Sequence, residues 1–227
     1  MISPILSFLI FNSYSDTGAY DWYQTFGDLR HLLTADTLKR PFKGICSPKD
    51  RPITDLQLLD TNVPFFPSHE KCRVLILGSG NSPFGEDMRN DGWTGEMVNV
   101  DFSSVVIDQM IKKHESKLER EGKQSKMKFV CADITHGLPF GDGSFDLIIC
   151  KGTFDAILCS NGSVGHTKQL VAECNRVLAP AHGCFFLVTY GSPDNRVVFL
   201  EHGNDPTYYW EGICVETVPR RDQTTSR

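Results

Sequence analysis

Short apolar segments alternate with amphipathic segments along most of the chain, and this alternation constrains the fold more than any other feature. The apolar runs have the length and composition of strands that are buried on both faces of a sheet. We predict six of them, at 73–77, 96–102, 128–132, 144–150, 184–190 and 212–218. Helical periodicity lies between them, most clearly at 103–122 and 167–178. Because such alternation implies βαβ units, we predict an α/β fold with a doubly wound, mostly parallel sheet.

The same pattern divides the chain into three parts. Residues 1–70 are interpreted as an N-terminal lead-in and helical lid, 71–218 as the sheet-forming domain, and 219–227 as a polar tail. The apolar start at 1–11 resembles the core of a signal peptide, but it lacks the basic leader region and the small-residue cleavage site of a secreted protein. We therefore expect a chain that is not secreted.

Charge and cysteine content disfavour several classes of protein. The net charge is −5, with 23 basic and 28 acidic residues, whereas nucleic-acid binders usually carry a basic surplus. No apolar run approaches the ~18 residues that a membrane-spanning helix needs. The eight cysteines form no CxxC pair, and none has a histidine at zinc-ligand spacing. We therefore expect no nucleic acid, membrane or metal as a partner, and reduced thiols in a cytoplasmic protein.

Three loops that follow predicted strands carry residues suited to a nucleoside, which parallel sheets bind beyond the carboxyl ends of their strands. The first loop, Gly78-Ser79-Gly80-Asn81, contains two glycines, which let a ligand approach the backbone. Asp101 ends the second strand, where an acid can accept hydrogen bonds from ribose hydroxyls. Asp133 ends the third strand, where a carboxylate can accept from the adenine amine. Each feature alone has a plainer structural alternative: a tight turn, a helix cap or a surface acid.

The glycine loop also indicates which nucleoside binds. A dinucleotide site has a third glycine in Gly-x-Gly-x-x-Gly and room for a pyrophosphate, but that third position is Pro83 here. S-adenosylmethionine (SAM) carries adenosine and an amino-acid tail without a phosphate, so it fits better. Pro83 and Asp133 likewise disfavour the alternative of a nicotinamide-dependent oxidoreductase.

Six segments of the sequence resemble one known family. They are 74–82, 98–103, 105–110, 138–140, 144–146 and 151–156. The Gly-Asn-Ser loop and the Lys-Gly-Thr-x-Asp-Ala segment at 151–156 are the most specific, and Tyr20-Asp21-Trp22-Tyr23 extends the resemblance toward the N-terminus. Together they look like the class I SAM-dependent methyltransferases. The most similar subgroup contains the eukaryotic lysine methyltransferases that act on translation elongation factor 1-alpha.

This resemblance implies a Rossmann-like fold, SAM as the cofactor, and methyl transfer to a protein lysine, with a translation elongation factor as a candidate substrate. It implies that Gly78 and Gly80 admit the amino-acid tail of SAM. Asp101 would bind the ribose, and Phe102 would lie near the adenine. The other residues implied in cofactor binding are Trp22, Asn81, Asp133, Ile134 and Lys151. The sequence identifies no catalytic residue, and Asp155 is a candidate for a polar contact with the acceptor amine.

The sequence departs from the family pattern in three places. Cys150 stands where the family usually has an acid, and the apolar start at 1–11 replaces a Trp-Asp-x-x-Tyr segment. The family fold ends in a pair of strands, but polar residues 222–227 stand where the second of them should begin. We therefore predict that the strand at 212–218 lacks its neighbour, which would leave an exposed sheet edge.

These departures keep two other functions open. A small-molecule methyltransferase would share the cofactor loops and differ only in its acceptor. A non-catalytic protein with a SAM-binding fold would accommodate the divergent start and the short end.

Overall fold

The computed structural model describes residues 6–12, 24–34, 44–46, 66–122, 125–180, 182–201, 210 and 212–218. The strands within these residues form one sheet. They are β1 (Leu6–Asn12), β2 (Gly44–Cys46), β3 (Val74–Leu77), β4 (Met97–Asp101), β5 (Met127–Cys131), β6 (Leu147–Lys151), β7 (Cys184–Thr189) and β8 (Gly212–Val218). Their order is β2-β8-β1-β7-β6-β3-β4-β5, and every neighbouring pair is parallel. The predicted α/β fold with a parallel sheet is therefore confirmed.

All six predicted strands are present, and their ends shift by at most a few residues. The largest shift is at β6, which was predicted from residue 144 and begins at Leu147. Phe145 instead forms an isolated bridge to Leu178. The chain therefore joins the main sheet only after Asp146.

Six α-helices pack around the sheet in the part of the chain that the structure describes. They are α1 (Phe26–Leu29), α2 (Phe84–Asn90), α3 (Ser104–Glu121), α4 (Thr153–Leu158), α5 (Ser163–Val177) and α6 (Asp194–Leu200), with 3-10 turns at Arg30–Leu32 and Ile134–His136. Helix α3 begins where the Ser103 hydroxyl accepts from the Val106 N–H and ends at the left-handed Gly122. Helix α5 begins four residues before the predicted start, directly after the left-handed Gly162.

The sheet separates two apolar cores, because successive side chains of a strand point to opposite faces. On β3, Leu75 and Leu77 face a core that is completed by α5, whereas Val74 and Ile76 face a core that is completed by α1 and α2. β7 is buried on both faces, in agreement with its continuous apolar sequence. Among the described helices, none has the length and apolar character that crossing a membrane requires.

The strand order reverses beside β3. The chain moves outward from β3 to β4 and β5, and then returns to β6 on the other side of β3. In parallel sheets this reversal opens a crevice at the carboxyl ends of the strands, and ligands bind there. The fold therefore places the candidate site at the ends of β3, β4 and β6.

The prediction that the strand at 212–218 lacks a neighbour is wrong. β8 pairs with β1 on one side and with β2 on the other, both in parallel. β1 also pairs with β7, so it fills the place between β7 and β8. Its sequence, Leu-Ser-Phe-Leu-Ile-Phe-Asn, has the apolar character of an interior strand, a property that its resemblance to a signal peptide concealed. The predicted lead-in therefore contributes two strands to the sheet, and the division of the chain at residues 70 and 218 stays a prediction.

Candidate functional site

A cavity of about 520 Å³ lies at the carboxyl ends of β3, β4 and β6. Its walls come from the loop after β3, the end of β4 and the segment that joins β6 to α4. The lining residues are Ile76, Leu77, Gly78, Ser79, Gly80, Asn81, Ser82, Phe84, Gly85, Asn99, Asp101, Phe102, Ile149, Lys151, Gly152, Thr153, Asp155, Ala156 and Cys159. Six of the nine residues predicted to bind cofactor are therefore brought together around one cavity: Gly78, Gly80, Asn81, Asp101, Phe102 and Lys151.

Both predicted glycines of the first loop adopt the left-handed backbone conformation, with φ of 60° at Gly78 and 53° at Gly80. A Cβ on Gly78 would lie 2.0 Å from the Thr153 Oγ1, so no side chain fits there. A Cβ on Gly80 would meet no atom within 4 Å. Gly78 is therefore required for packing, and Gly80 leaves open space on the wall of the cavity.

Asp101 holds this loop from the neighbouring strand. Asp101 is a buried residue, with only 8% of its surface exposed. Its Oδ2 accepts a hydrogen bond of 2.9 Å from the Gly80 N–H. The other oxygen accepts from the Ser103 N–H, also at 2.9 Å. Since a carboxylate has about four acceptor positions, Asp101 can brace the loop and still accept hydrogen bonds from ribose hydroxyls.

The segment after β6 forms the opposite wall, and it contains a residue that the sequence reasoning missed. Gly152 has a φ of 75° and starts α4. The Thr153 hydroxyl donates to the Leu77 carbonyl at 3.0 Å, which ties α4 to the end of β3. The Lys151 ammonium lies 5.9 Å from the centre of the Phe84 ring. Thr153 is the third residue of the Lys-Gly-Thr-x-Asp-Ala segment, but its position in that segment does not by itself predict a hydrogen bond to Leu77.

Asn99 is a second residue that the sequence reasoning missed. It is 4% exposed within β4 and lines the cavity below Asp101. Its side-chain amide donates to the Lys128 carbonyl at 3.4 Å. The sequence feature that could have identified Asn99 is an amide side chain within a largely apolar strand. Such a residue invites attention because a buried polar group needs hydrogen-bond partners.

Two of the predicted cofactor residues, Asp133 and Ile134, are not among the residues that line this cavity. The Asp133 carboxylate accepts from the Thr135 N–H at 2.9 Å and from its hydroxyl at 2.7 Å, and these bonds lower the pKa of Asp133. Ile134 is buried in the core that α5 completes. Trp22 lies outside the described residues. The adenine contacts of Asp133 and Ile134 and the pocket role of Trp22 stay predictions.

Cys150 does not supply the negative charge of the acid that the family usually has at this position. Its side chain is fully buried in the core, and this burial raises the pKa of Cys150 to about 12. The thiol is therefore neutral at physiological pH, and Cys150 is not among the residues that line the cavity. Within the described residues, no group of three or more His, Cys, Asp or Glu side chains is placed to hold a metal ion.

The Asp155 side chain lines the cavity, but its carboxylate already has several partners. It accepts from the Tyr190 N–H at 2.9 Å, from the Thr189 hydroxyl and from the Arg196 guanidinium. These hydrogen bonds therefore disfavour the predicted contact between the Asp155 carboxylate and an acceptor amine.

The cavity has the polar groups that SAM needs. Its adenosine ribose would be held by Asp101, and its amino-acid tail would lie over Gly80. The Ser79 hydroxyl is a buried polar atom on the cavity wall with no hydrogen-bond partner in the described structure. Because buried polar groups are almost always satisfied, this hydroxyl indicates a polar ligand at the loop.

Comparison with known proteins agrees with this geometry. A methyltransferase domain family matches residues 75–186. An eEF1A lysine and N-terminal methyltransferase of Mus musculus is 37% identical over 111 residues, which are 48% of this chain and 15% of that protein. An EEF1A lysine methyltransferase 4 of Mus musculus is 26% identical over 86% of this chain and 63% of its own length.

A mitochondrial citrate synthase-lysine N-methyltransferase of Homo sapiens is 32% identical over 67% of this chain and 64% of its own length. The chain thus spans less than two thirds of each of these three relatives. The matched domain contains β3 to β6 and both walls of the cavity. The predicted resemblance to this family and the prediction of SAM as the cofactor are confirmed: residues 75–186, just under half of the chain, match a methyltransferase domain family, and the chain resembles lysine methyltransferases that are named for elongation factor 1-alpha.

Proposed function

We propose that this protein transfers a methyl group from SAM to the side-chain amine of a protein lysine. One observation carries the proposal: Asp101 and Gly80 are hydrogen-bonded at the edge of a cavity whose walls are the two segments most specific to the family. The names of the relatives support a lysine acceptor, because two of them act on eEF1A and one on citrate synthase.

The residues of this chain hold and orient the reactants. SAM supplies a methyl group that its sulfonium already activates. The left-handed loop at Gly78 and Gly80 and the Asp101 carboxylate fix the cofactor, and the largely apolar wall from Ile76, Phe84 and Ile149 excludes water. Alignment of this kind can supply about 7–11 kcal/mol of the barrier reduction in a two-reactant step.

The acceptor lysine must lose its proton before it attacks. A solvated lysine has a pKa of about 10.4, and transfer into an apolar site lowers that value because burial disfavours the charged form. The proposal therefore assigns deprotonation to desolvation of the acceptor at the apolar wall, and it names no general base.

Two measurements test the proposal. First, calorimetry measures the affinity of the purified protein for SAM and for its product S-adenosylhomocysteine, with NAD and NADP as controls. We expect binding of the first pair only. Absence of heat with both SAM and S-adenosylhomocysteine on folded protein would refute a SAM-dependent function.

The second measurement identifies the acceptor class. Tritiated SAM is incubated with the protein and with recombinant elongation factor 1-alpha, citrate synthase or whole-cell lysate. Label in protein that amino-acid analysis recovers as methyl-lysine supports the proposal. Label confined to small metabolites would indicate a small-molecule methyltransferase, and cofactor binding without any transfer would indicate a non-catalytic SAM-binding protein.

We also propose that the protein acts in the cytoplasm. The described cysteines are thiols rather than disulfides, which supports a reducing compartment. Fluorescence microscopy of the tagged full-length chain tests this, and accumulation in mitochondria or in the secretory pathway would contradict it.

A further inference from the structure

A buried ion pair connects the cavity wall to the chain that follows β7. The Asp155 Oδ1 accepts from the Arg196 Nη2 at 2.8 Å and from its Nε at 3.1 Å. Only 11% of the Asp155 side chain and 16% of the Arg196 side chain are exposed. The Arg196 Nε also donates to the Thr189 hydroxyl at 2.9 Å. One carboxylate on α4 therefore holds an arginine from α6 and the last residue of β7.

The same pair fixes the turn between β7 and α6. The Asp155 Oδ2 accepts from the Tyr190 N–H at 2.9 Å. Gly191 packs directly on the guanidinium, since a Cβ at this position would lie 2.1 Å from the Arg196 Cζ. The turn at Tyr190 and Gly191 is thus held by a hydrogen bond that the Tyr190 N–H donates to Asp155 and by contact of Gly191 with Arg196.

This turn lies beside the end of the cavity opposite Asp101. Lys151 pairs with Val188 across β6 and β7, and the Gly152 N–H donates to the Val188 carbonyl at 3.0 Å. Lys151 and Gly152 line the cavity. Val188 is bonded to this lining segment, and the turn begins two residues after Val188, at Tyr190. Tyr190 is 43% exposed there. The matched methyltransferase domain ends at residue 186, before this turn.

We propose that Asp155 and Arg196 are a positioning pair that sets the Tyr190–Gly191 turn at the mouth of the cavity, so that access of the methyl acceptor depends on the pair and cofactor binding does not. The acceptor part rests on the proposed function. Arg196 itself is not among the residues that line the cavity. A buried ion pair is a poor source of stability compared with apolar packing, but its directional hydrogen bonds fix a geometry.

Two variants break the pair while they keep the size of the side chains. Asp155→Asn removes the charge, and Arg196→Lys keeps the charge but loses the forked geometry. The double variant tests whether the two residues act as a unit, since coupled residues give non-additive effects. Arg176→Lys is the matched control, because Arg176 makes a similar set of bonds to Glu173, Asp142 and the carbonyls of Leu138 and Phe140, away from the cavity.

Four quantities are measured on each variant: hydrogen exchange of the amides at 189–192, affinity for S-adenosylhomocysteine, and KM and kcat with elongation factor 1-alpha or citrate synthase as the methyl acceptor. We expect faster exchange at 189–192 and unchanged S-adenosylhomocysteine affinity for Arg196→Lys. We expect the acceptor KM to rise by about tenfold, because misplacement of a reacting group by about 1 Å can cost up to about 100-fold. The double variant should be no worse than Asp155→Asn alone.

Other results overturn the proposal. Unchanged exchange at 189–192 would show that the pair does not hold the turn. A parallel loss of S-adenosylhomocysteine affinity in Arg196→Lys would make the pair part of the cofactor site, and an equal rise in acceptor KM in Arg176→Lys would make the effect one of general stability. If the wild-type protein methylates neither acceptor, the proposed function fails on that point, while exchange and cofactor affinity still decide whether the pair positions the turn.

Discussion

The carboxylate of Asp101 on β4 accepts a hydrogen bond of 2.9 Å from the backbone N–H of Gly80 in the loop after β3. The same carboxylate accepts from the Ser103 N–H ahead of α3. A single side chain therefore connects the glycine loop to the start of a helix, and it also lines the cavity. Loss of this side chain should weaken cofactor binding if the predicted contact between Asp101 and the ribose is made.

We expect Asp101→Ala to weaken S-adenosylhomocysteine binding by about 1.5–3 kcal/mol, the usual contribution of a hydrogen bond to a charged group. This corresponds to roughly a 12- to 150-fold higher Kd, which calorimetry measures directly. Asp108→Ala is the control, because Asp108 is an exposed acid on α3 outside the cavity lining. An unchanged Kd in Asp101→Ala would mean that Asp101 serves only the loop and the helix.

Three glycines with left-handed backbones should differ in their tolerance of alanine. Gly122→Ala, at the open end of α3, should cost about 1–2 kcal/mol from backbone strain alone. Gly78→Ala should cost clearly more, because its Cβ would overlap the Thr153 side chain. Gly80→Ala should resemble Gly122→Ala in stability but weaken cofactor binding, since its Cβ would enter the cavity. Urea unfolding and calorimetry separate these effects, and equal stabilities for Gly78→Ala and Gly122→Ala would contradict the overlap.

The sequence predicted the sheet and the loops that line the cavity well because both depend on local patterns. A continuous apolar run such as 184–189 is typical of a strand buried on both faces, and a glycine pair after a strand is typical of a tight turn that a ligand can approach. The contact between Gly80 and Asp101 follows from parallel pairing, which brings the carboxyl ends of β3 and β4 together.

The parts that the sequence did not predict depend on contacts between distant segments. β1 pairs with β7 and β8, which lie more than 170 residues later in the chain, and no local pattern encodes that pairing. The hydrogen bonds between Asp155 on α4 and Arg196 on α6 likewise connect residues that are 41 positions apart in the sequence. The Asp133 carboxylate caps the turn at Ile134–His136, a contact that its position after β5 did not predict, and its contact with adenine stays a prediction.

Stability should fall steeply in acid because of one buried carboxylate at the amino end of the sheet. Burial by itself would raise the pKa of Asp146, but hydrogen bonds from His182 and Arg73 outweigh it and hold the pKa at about 2. The unfolded chain has a pKa near 3.8 for the same group, so this stabilisation is complete above about pH 5 and is lost as the pH falls toward 2. The difference is worth about 2 kcal/mol.

Urea unfolding between pH 6 and pH 2.5 checks this pH dependence. We expect Asp146→Asn to be less stable than the wild type at pH 6, and the gap to narrow to about a third as the pH approaches 2.5, because the unfolded carboxylate is then protonated while the native one is still largely ionised. Asp142→Asn is the control, because Asp142 is an exposed acid whose ion pair with Arg176 lies at the surface. A gap for Asp146→Asn that stays constant with pH would show that the carboxylate does not titrate with folding.

Cysteine labelling should report on cofactor binding. Cys131 and Cys159 are exposed, whereas Cys72, Cys150, Cys174, Cys184 and Cys214 are buried. We expect iodoacetamide at pH 8 to label the two exposed thiols of the folded protein and to spare these five. Since Cys159 lines the cavity and Cys131 does not, S-adenosylhomocysteine should slow the labelling of Cys159 selectively. Mass spectrometry of tryptic peptides measures both rates, and equal protection of both thiols would argue against a ligand in this cavity.

β1 lies in the segment that the sequence analysis interpreted as a lead-in, but it is an interior strand of the sheet next to β8. Because β1 and β2 flank β8, amides throughout Gly212–Val218 should be strongly protected from hydrogen exchange in the monomer. Leu9 pairs with Leu187 on one side and Val215 on the other, so Leu9→Pro should disrupt the sheet between β7 and β8. We expect a loss of about 2–3 kcal/mol, or roughly 4–12 °C in Tm, with protection lost at 213–218. Thr224→Pro, in the predicted polar tail, serves as the control and should leave both unchanged. Fast exchange at 213–218 in the wild-type protein would instead restore the exposed edge that the sequence predicted.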